Sequence, residues 1–397
     1  MKQLVNLSRG TRWAVPAGAV VVVGGVLAGS MISVAQAVPS LPPRTPAQLL
    51  ASLAGQTSVP PMTGTIVETS SLGLPSLPGT GDPTSVSSLL TGSHTIRIWY
   101  ADAAHFRLAV PQNMSESDLI RNGGNAWLWE STNNTVTHLT VPAGPAKSRH
   151  AAAVSPQASS APPMTPQQAA NEVLAKVGPT TAVRVDSNVS VAGEAAYQLV
   201  LAPKSSSSLV GEIRIAVDGT RNVPLRVQVF AKGAKTPAVQ IGFTSISFVK
   251  PAAANFAFTP PAGAKVLQQQ APGSGAKHTS AGVVSGASTI GTGWLAVADL
   301  PQSVLSSVRA GQATGSTGSG LSGDTGPIIN ALLRSATPVS GSWGSGRLLT
   351  TSLVSVLITS DGRVLVGAVT PQVLYDAAAQ AAKVAGESHH VPLPTTK

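Results

Sequence analysis

The 397-residue sequence contains no cysteine. That excludes disulfides, a lipidated cysteine behind a leader and thiol chemistry, and it leaves burial alone to hold the fold together. Aromatic residues make up 4% and charged residues 11% of the chain, while there are 39 glycines and 31 prolines. So little charge and so many breakers argue against helical bundles and for sheet joined by long loops. The formal charge is +10, but Lys2, Arg9 and Arg12 fall at the very start of the chain and the other basic residues are scattered. No basic stripe suits a nucleic-acid backbone, and the excess gives at most a weak attraction to an anionic membrane or wall surface. Hydrophobic residues, at 43%, are plentiful enough for a folded core.

Motifs that carry chemistry are also missing. There is no GxSxG elbow, no HExxH and no calcium-loop pattern. Gly318-Ser319-Gly320-Leu321-Ser322-Gly323 matches GxGxxG in form, but no strand leads into it and it reads as a flexible loop. The histidines lack metal-ligand spacing, the adjacent His389 and His390 offering only adventitious binding. Asp102, Glu116, Asp118 and Glu130 lie near one another and read as solvated strand ends rather than an acid and base pair. The expectation is a non-enzymatic protein with no catalytic residues, no cofactor and no metal.

What is present is alternation. From Ser93 to Val141 polar and apolar residues follow one another with a period of two, which is the pattern of half-buried strands. Ile96, Ile98 and Tyr100 fall on one side of their strand, Phe106, Leu108 and Val110 on one side of the next, and Trp127 and Trp129 share a side opposite Ala126 and Leu128. Asn122-Gly123-Gly124-Asn125 supplies the positive-φ residues of a tight hairpin between Ser117–Arg121 and Ala126–Thr132. The same alternation recurs at Thr63–Thr69, Tyr197–Leu201, Ile213–Val217, Leu225–Val229 and Val239–Phe243.

Three helices begin alike, at Thr45-Pro46, Thr165-Pro166 and Thr370-Pro371, with Thr as N-cap and Pro at the first helical position. In the first two, Gln48 and Gln168 complete a capping box. The helices are expected to end at Gly55, Gly178 and Gly386. The leucine-bearing stretch Leu72–Leu90 reads either as an insertion on the sheet edge or as a lid over an apolar cavity. Pro142–Met164 is a loop inside the domain. A polar linker, 268–284, precedes a smaller α+β region, 285–386, with a strand at Gly293–Leu300, a short helix at Asp324–Ala336, a hairpin over Leu348–Val369 turning at Ser360-Asp361-Gly362-Arg363, and a tail, 387–397.

Ile120-x-x-Gly123-x-x-x-Trp127-x-Trp129, following the strand with Phe106-Arg107 and Pro111, resembles the central strands of the LolA family of lipoprotein carriers and the related RseB sensors. Ile215-x-x-Asp218, Val223-Pro224-Leu225 and Phe256-x-Phe258-x-Pro260-Pro261-x-Gly263 resemble the closing strands and last strand of the same fold, in the same order. The richness in Ala, Gly, Pro and Val suggests a GC-rich genome of actinobacterial type. The resemblance covers residues 45 to 267. It implies a mainly β fold, a curved antiparallel half-barrel covered by helices over residues 38–267, with acyl chains held in an apolar cavity. The lining is expected from Ile98, Tyr100, Leu108, Trp127, Trp129, Val227, Val229 and Phe243; Arg97 reads as a surface arginine or, alternatively, as a head-group contact at the rim. Ala101-Asp102-Ala103-Ala104 departs from the family, which often has a basic residue and a proline there. The function implied is an exported carrier of lipid or acylated lipoprotein, or alternatively an RseB-like sensor that binds a membrane partner such as an anti-sigma factor.

Residues 1–37 carry a basic start, an uncharged run from Trp13 to Ala37 and an Ala35-Gln36-Ala37 site, the features of an export signal. The uncharged run is also long enough to span a bilayer as an uncleaved anchor over 13–37. Either way the rest of the chain is expected outside the cytoplasm. Cleavage after Ala37 is expected, and N-terminal sequencing of the protein from its host checks it; a chain beginning at Met1 and fractionating with membranes replaces cleavage with anchoring.

Overall fold

The computed structural model describes residues 40–56, 58–73, 91–112, 114–140, 164–175, 177–270, 287–303 and 334–388. The leader, most of Leu72–Leu90, the loop before Met164, most of the linker, the Gly318–Gly323 motif, most of the Asp324 helix and the His389-His390 tail therefore lie outside the described residues.

The alternating segments form strands because β-branched and aromatic side chains, standing on alternate sides of a pleat, bury one face without an unpaired backbone. They are β1 (Met62–Ser71), β2 (Thr91–Asp102), β3 (His105–Pro111), β4 (Glu116–Asn122), β5 (Asn125–Glu130), β6 (Thr135–Thr140), β7 (Thr181–Val191), β8 (Glu194–Pro203), β9 (Val210–Asp218), β10 (Pro224–Ala231), β11 (Val239–Ser247) and β12 (Lys265–Gln270). All twelve join one open sheet in the order β12-β6-β5-β4-β3-β2-β1-β11-β10-β9-β8-β7. The β4–β5 hairpin turns where expected, with Asn122 opposite Asn125 and Gly123 at φ +61°. The sheet coils strongly, for β7 returns into contact with β11 although three strands stand between them in the ladder.

Its pairings are antiparallel except the last. β12 runs parallel to β6, Val266 opposite Val136 and Gln268 opposite His138. The fold is the expected mainly β one built on a curved antiparallel sheet, and the connection explains the parallel pair: β12 is reached by a crossover rather than a hairpin, and parallel neighbours require such a crossover. The Phe256–Gly263 motif is itself this crossover, not a strand; it holds a 3-10 turn at Ala253–Phe256 and the left-handed Gly263, φ +75°.

α1 (Pro46–Ala54) and α2 (Pro166–Leu174) have the expected capping boxes, with Gln48 and Gln168 each accepting the cap N–H at 2.8 Å. Their far ends differ from expectation. Gly55 follows α1 in right-handed geometry, φ −81°, and α2 stops at Leu174, before Gly178. There Ala175 N–H donates to the Asn171 and Val173 carbonyls, so tightening of the last turn satisfies the end without a left-handed residue. α1 and α2 pack over β7, β10 and β11, placing Leu49, Leu53, Ala169 and Ala170 in the core.

The C-terminal region is a second, antiparallel sheet of β13 (Ser288–Ile290), β14 (Val297–Leu300), β15 (Thr337–Gly341), β16 (Gly344–Thr350), β17 (Ser355–Thr359) and β18 (Val364–Gly367), in the order β13-β14-β18-β17-β16-β15. The expected strand at Gly293 begins only at Val297, after a 3-10 turn, and the expected hairpin is three strands, the last two turning at 360–363. α3 (Pro371–Ser388) runs through Gly386 and packs on β17 and β18, with Leu357, Leu365 and Leu374 fully buried.

The two sheets touch. Leu209 N–H donates to Ala368 O at 2.9 Å, Thr370 N–H to Ser207 O at 2.9 Å, and the Trp294 indole to Thr181 Oγ at 2.8 Å. The β16–β17 turn places Leu353, 7% exposed, in the core of the large sheet, while Ser352 N–H donates to Leu72 O at 2.9 Å. We expect residues 38–267, expressed alone, to unfold cooperatively but at a lower Tm than the full chain, because the covers supplied by Leu353 and Trp294 are lost. An insoluble fragment, or one melting without a transition, would show that the second sheet is needed for the first.

Candidate functional site

Residues opposite one another in a ladder share a side of the sheet, so the pairing assigns every candidate to a face. Six of the eight expected lining residues fall on one: Tyr100 and Ile98 on β2, Leu108 opposite Ile98 on β3, Phe243 opposite Ile66 across β1, and Val227 and Val229 opposite Ile241 and Val239. The apolar face continues through Leu119 opposite Leu108 and Leu128 opposite Leu119. At Gly64, opposite Ile98, an added Cβ would stand 3.0 Å from the Phe243 ring, so the absence of a side chain there lets that ring lie across β1.

Covering is uneven along this face. Val227, Phe243 and Ile98 are buried in the core, two of them on the strands beneath α2, and Val229, Tyr100 and Leu108 are half-buried against it. Phe106, Val110, Leu119 and Leu128 are half-buried and belong to neither core cluster. The packed side of the sheet, under the helices, thus passes into an apolar floor over β3–β5.

Trp127 and Trp129 stand on the other face, Trp127 opposite Ile120 and His138 and Trp129 opposite Asp118 and Val136. Here the crossover from β11 to β12 runs over the sheet. Phe256 meets the His105 ring at 6.1 Å, Phe258 meets Trp127 at 6.0 Å, and Trp127 stacks on His138 at 5.3 Å. His138 also bridges Asn125 at 2.9 Å and Gln268 of β12 at 2.7 Å. These aromatics clamp the crossover. Arg97 shares this face, opposite Ala109, and is exposed, so it does not border the floor made by its neighbours Ile96 and Ile98.

The same face holds a buried ion pair where the sequence suggests only a solvated strand end. Asp118 is fully buried and accepts from Arg107, whose guanidinium lies 5.5 Å from the Trp99 ring centre. Burial raises the Asp118 carboxyl from its usual 3.8 to about 6, Arg107 opposing the rise and Glu116 adding to it. Loss of hydration outweighs the single cation. Among the described residues, its Oδ1, Arg107 Nε and the Trp129 indole N–H are buried without partners. One signal in the sequence does point to this burial: Asp118 is in step with Ile120, which is also fully buried.

Charges also stand on the apolar face. Glu68 lies opposite His94, and burial raises its pKa against the pull of that histidine. Arg121 lies opposite Phe106 and Ala126, and Glu130 opposite Ser117. Among the described residues, no cluster of three or more His, Asp or Glu side chains forms a metal site. An open groove of about 630 Å³ crosses β15–β17 beside Pro338, Arg347 and Ile358, but Arg347 is committed to the Ala336 carbonyl at 2.9 Å.

No family model and no curated protein matches the chain. Solved structures do. The complex of MucA and MucB from Pseudomonas aeruginosa is 15% identical, covering 84% of this chain and 96% of that one at a TM-score of 0.38. An uncharacterized conserved protein from Thermus thermophilus is 11% identical, covering 56% of this chain and 99% of that one at 0.30. A LolA superfamily protein from Nitrosomonas europaea is 10% identical, covering 54% of this chain and 99% of that one at 0.20. The group whose motifs the sequence resembles is thus found among the structural neighbours.

Because the folded Asp118 carboxyl holds its proton more tightly than the unfolded one, its contribution is most favourable below pH 4 and declines as pH rises through about 6. The decline is on the order of 3 kcal/mol. Denaturant midpoints between pH 4 and 7 should fall by this component in the native protein and stay flatter in Asp118→Asn; equal slopes in the two would refute it.

Proposed function

We propose that the protein is an exported, non-enzymatic binding protein that shields an acyl chain, of a lipid or an acylated lipoprotein, against the apolar face of its large sheet. One observation carries this reading: the face is continuous across the sheet, yet α1 and α2 lie over β7, β10 and β11 while Phe106, Leu108, Val110, Leu119 and Leu128 remain half-exposed. A binding role also agrees with the buried carboxylates, each of which is engaged: Asp118 with Arg107, Asp299 with Arg363, and Asp218 with the backbone N–H groups of Thr220 and Arg221.

The residues supporting this are Tyr100, Leu108 and Val229 of the expected lining, joined by Phe106, Leu119 and Leu128. Ile98, Val227 and Phe243 serve as the packed wall behind them. A chain of about a dozen methylenes gains close to 10 kcal/mol of gross transfer at about 0.8 kcal/mol each, before ordering costs. Extracytoplasmic placement rests on the export signal; among the described residues no helix is long and apolar enough to cross a membrane.

A sensor that passes ligand occupancy to a membrane protein is the second reading. It is favoured by Leu353, through which the C-terminal sheet shares the core that underlies the apolar face.

Leu108→Glu and Leu128→Glu each place a carboxylate on the floor, which must then be neutralised or stay unpaired. Titrating the delipidated protein with dodecanoate by isothermal titration calorimetry, with native mass spectrometry of the undelipidated form, should show binding by the native chain and at least about tenfold loss in each variant. A folded native protein that neither binds nor carries lipid from its host would mean that the face is only a packing surface.

A further inference from the structure

The apolar face is not electrically uniform along the strands. β4 carries Leu119 at mid-sheet and Arg121 one step nearer the β4–β5 turn, where Arg121 shares a row with Tyr100, Phe106 and Ala126. The next row is Ile98, Leu108, Leu119 and Leu128, all apolar. The row beyond it holds Val110, Ser117 and Glu130, and the one after that Glu68 and His94. Successive rows are about 7 Å apart. A cation therefore stands at one end of the floor, where the exposed Asp102 just beyond Tyr100 is engaged by His105 at 2.9 Å, and carboxylates stand towards the other.

Arg121 is set apart from the other half-buried arginines by its place on the apolar face: Arg44 is held by Asn222 and the Tyr197 ring, and Arg226, which among the described residues also makes no ion pair, stands on the opposite face from its neighbour Val227. Arg107, Arg214 and Arg363 are paired with Asp118, Glu212 and Asp299. Arg121 is half-buried too, yet among the described residues it makes no ion pair, and its hydrogen bond is a long one, 3.4 Å from Nε to the Gly123 carbonyl. Among the described residues its two terminal nitrogens have no partner. A guanidinium partly stripped of water beside an apolar floor, with its planar fork free, is suited to a carboxylate or phosphate.

Resting on the acyl-binding reading, we propose that Arg121 receives the anionic head of the bound amphiphile while the tail lies over Leu108, Leu119 and Leu128. The Tyr100 hydroxyl, in the same row, is the second donor. The ligand class is then a lipid headed by a carboxylate or phosphate rather than a neutral or cationic one. Glu130 and Glu68 enforce the direction, because an anionic head placed at their end meets like charge.

The test compares dodecanoate, dodecyl phosphate, dodecanol and dodecyltrimethylammonium on the full chain, by isothermal titration calorimetry at fixed ionic strength, with inorganic phosphate as the tailless control. The two anionic probes should bind about tenfold or more tighter than dodecanol, as a charge-assisted hydrogen bond implies, and the cationic probe weakest. Arg121→Gln should bring the anionic probes to the dodecanol level while leaving dodecanol unchanged. Arg121→Lys, which keeps the charge and loses the fork, should retain part of the preference and guards against misreading a folding defect. Equal binding of dodecanoate and dodecanol by the native protein, or an undiminished preference in folded Arg121→Gln, overturns the assignment while leaving acyl binding intact. Binding of inorganic phosphate as tight as that of dodecyl phosphate also overturns it, making the anion site independent of the tail. Failure of every probe overturns the acyl-binding reading and this one together.

Discussion

With no covalent cross-link, the large sheet depends on register. A slip of one residue in any pair would carry that strand's whole apolar set to the opposite side, and the continuous face from Val183 and Leu201 through Ile215, Val227, Ile241 and Ile66 to Ile98 and Leu108 would be broken. Register is held by the tight β4–β5 turn, by Asp218 accepting from the backbone at the β9–β10 turn, and by the bulge in β11, which keeps Ile246 and Phe243 on the same side of the sheet, opposite Gly64 and Ile66. The half-exposed floor proposed to bind ligand is a by-product of the same constraint, since the alternation continues past the strands that the helices cover.

The two faces divide the labour. One is apolar and, over β3–β5, incompletely covered. The other, over the same strands, is closed by the crossover and contains Asp118 and Arg107 beneath it. A buried charged pair is a poor source of net stability, and its unpartnered atoms make the cost larger. What it provides is definition: beside the buried Ala109, Ile120 and Val136 of that face, it favours the alignment of β3 with β4 that brings carboxylate to guanidinium.

Much of the strand content is legible in the sequence, because period two is a local signal, and so are the two capping boxes and the turns at 122–125 and 360–363. Alternation gives the parity of side chains within a strand but not which parity of the next strand shares its side. That is why the sequence groups Trp127 and Trp129 with Leu108, from which the register separates them. The same limit allows Arg97 a place at the rim and passes over Arg121. Helix ends are legible at the N-cap, where a side chain makes the bond, and not at the other end, where backbone tightening serves as well as glycine. The parallel β12 is illegible, for nothing local distinguishes a strand that follows a crossover from one that follows a turn.

That crossover has a consequence for how the molecule holds together. In chain order β1–β6 come first and β7–β12 later, yet β1 is joined to β11 and β6 to β12. The earlier half is clasped at both flanks by the later one. A break in the backbone anywhere between Thr140 and Met164 would leave two pieces still laced along two separate ladders, so that neither could leave without unzipping both edges at once.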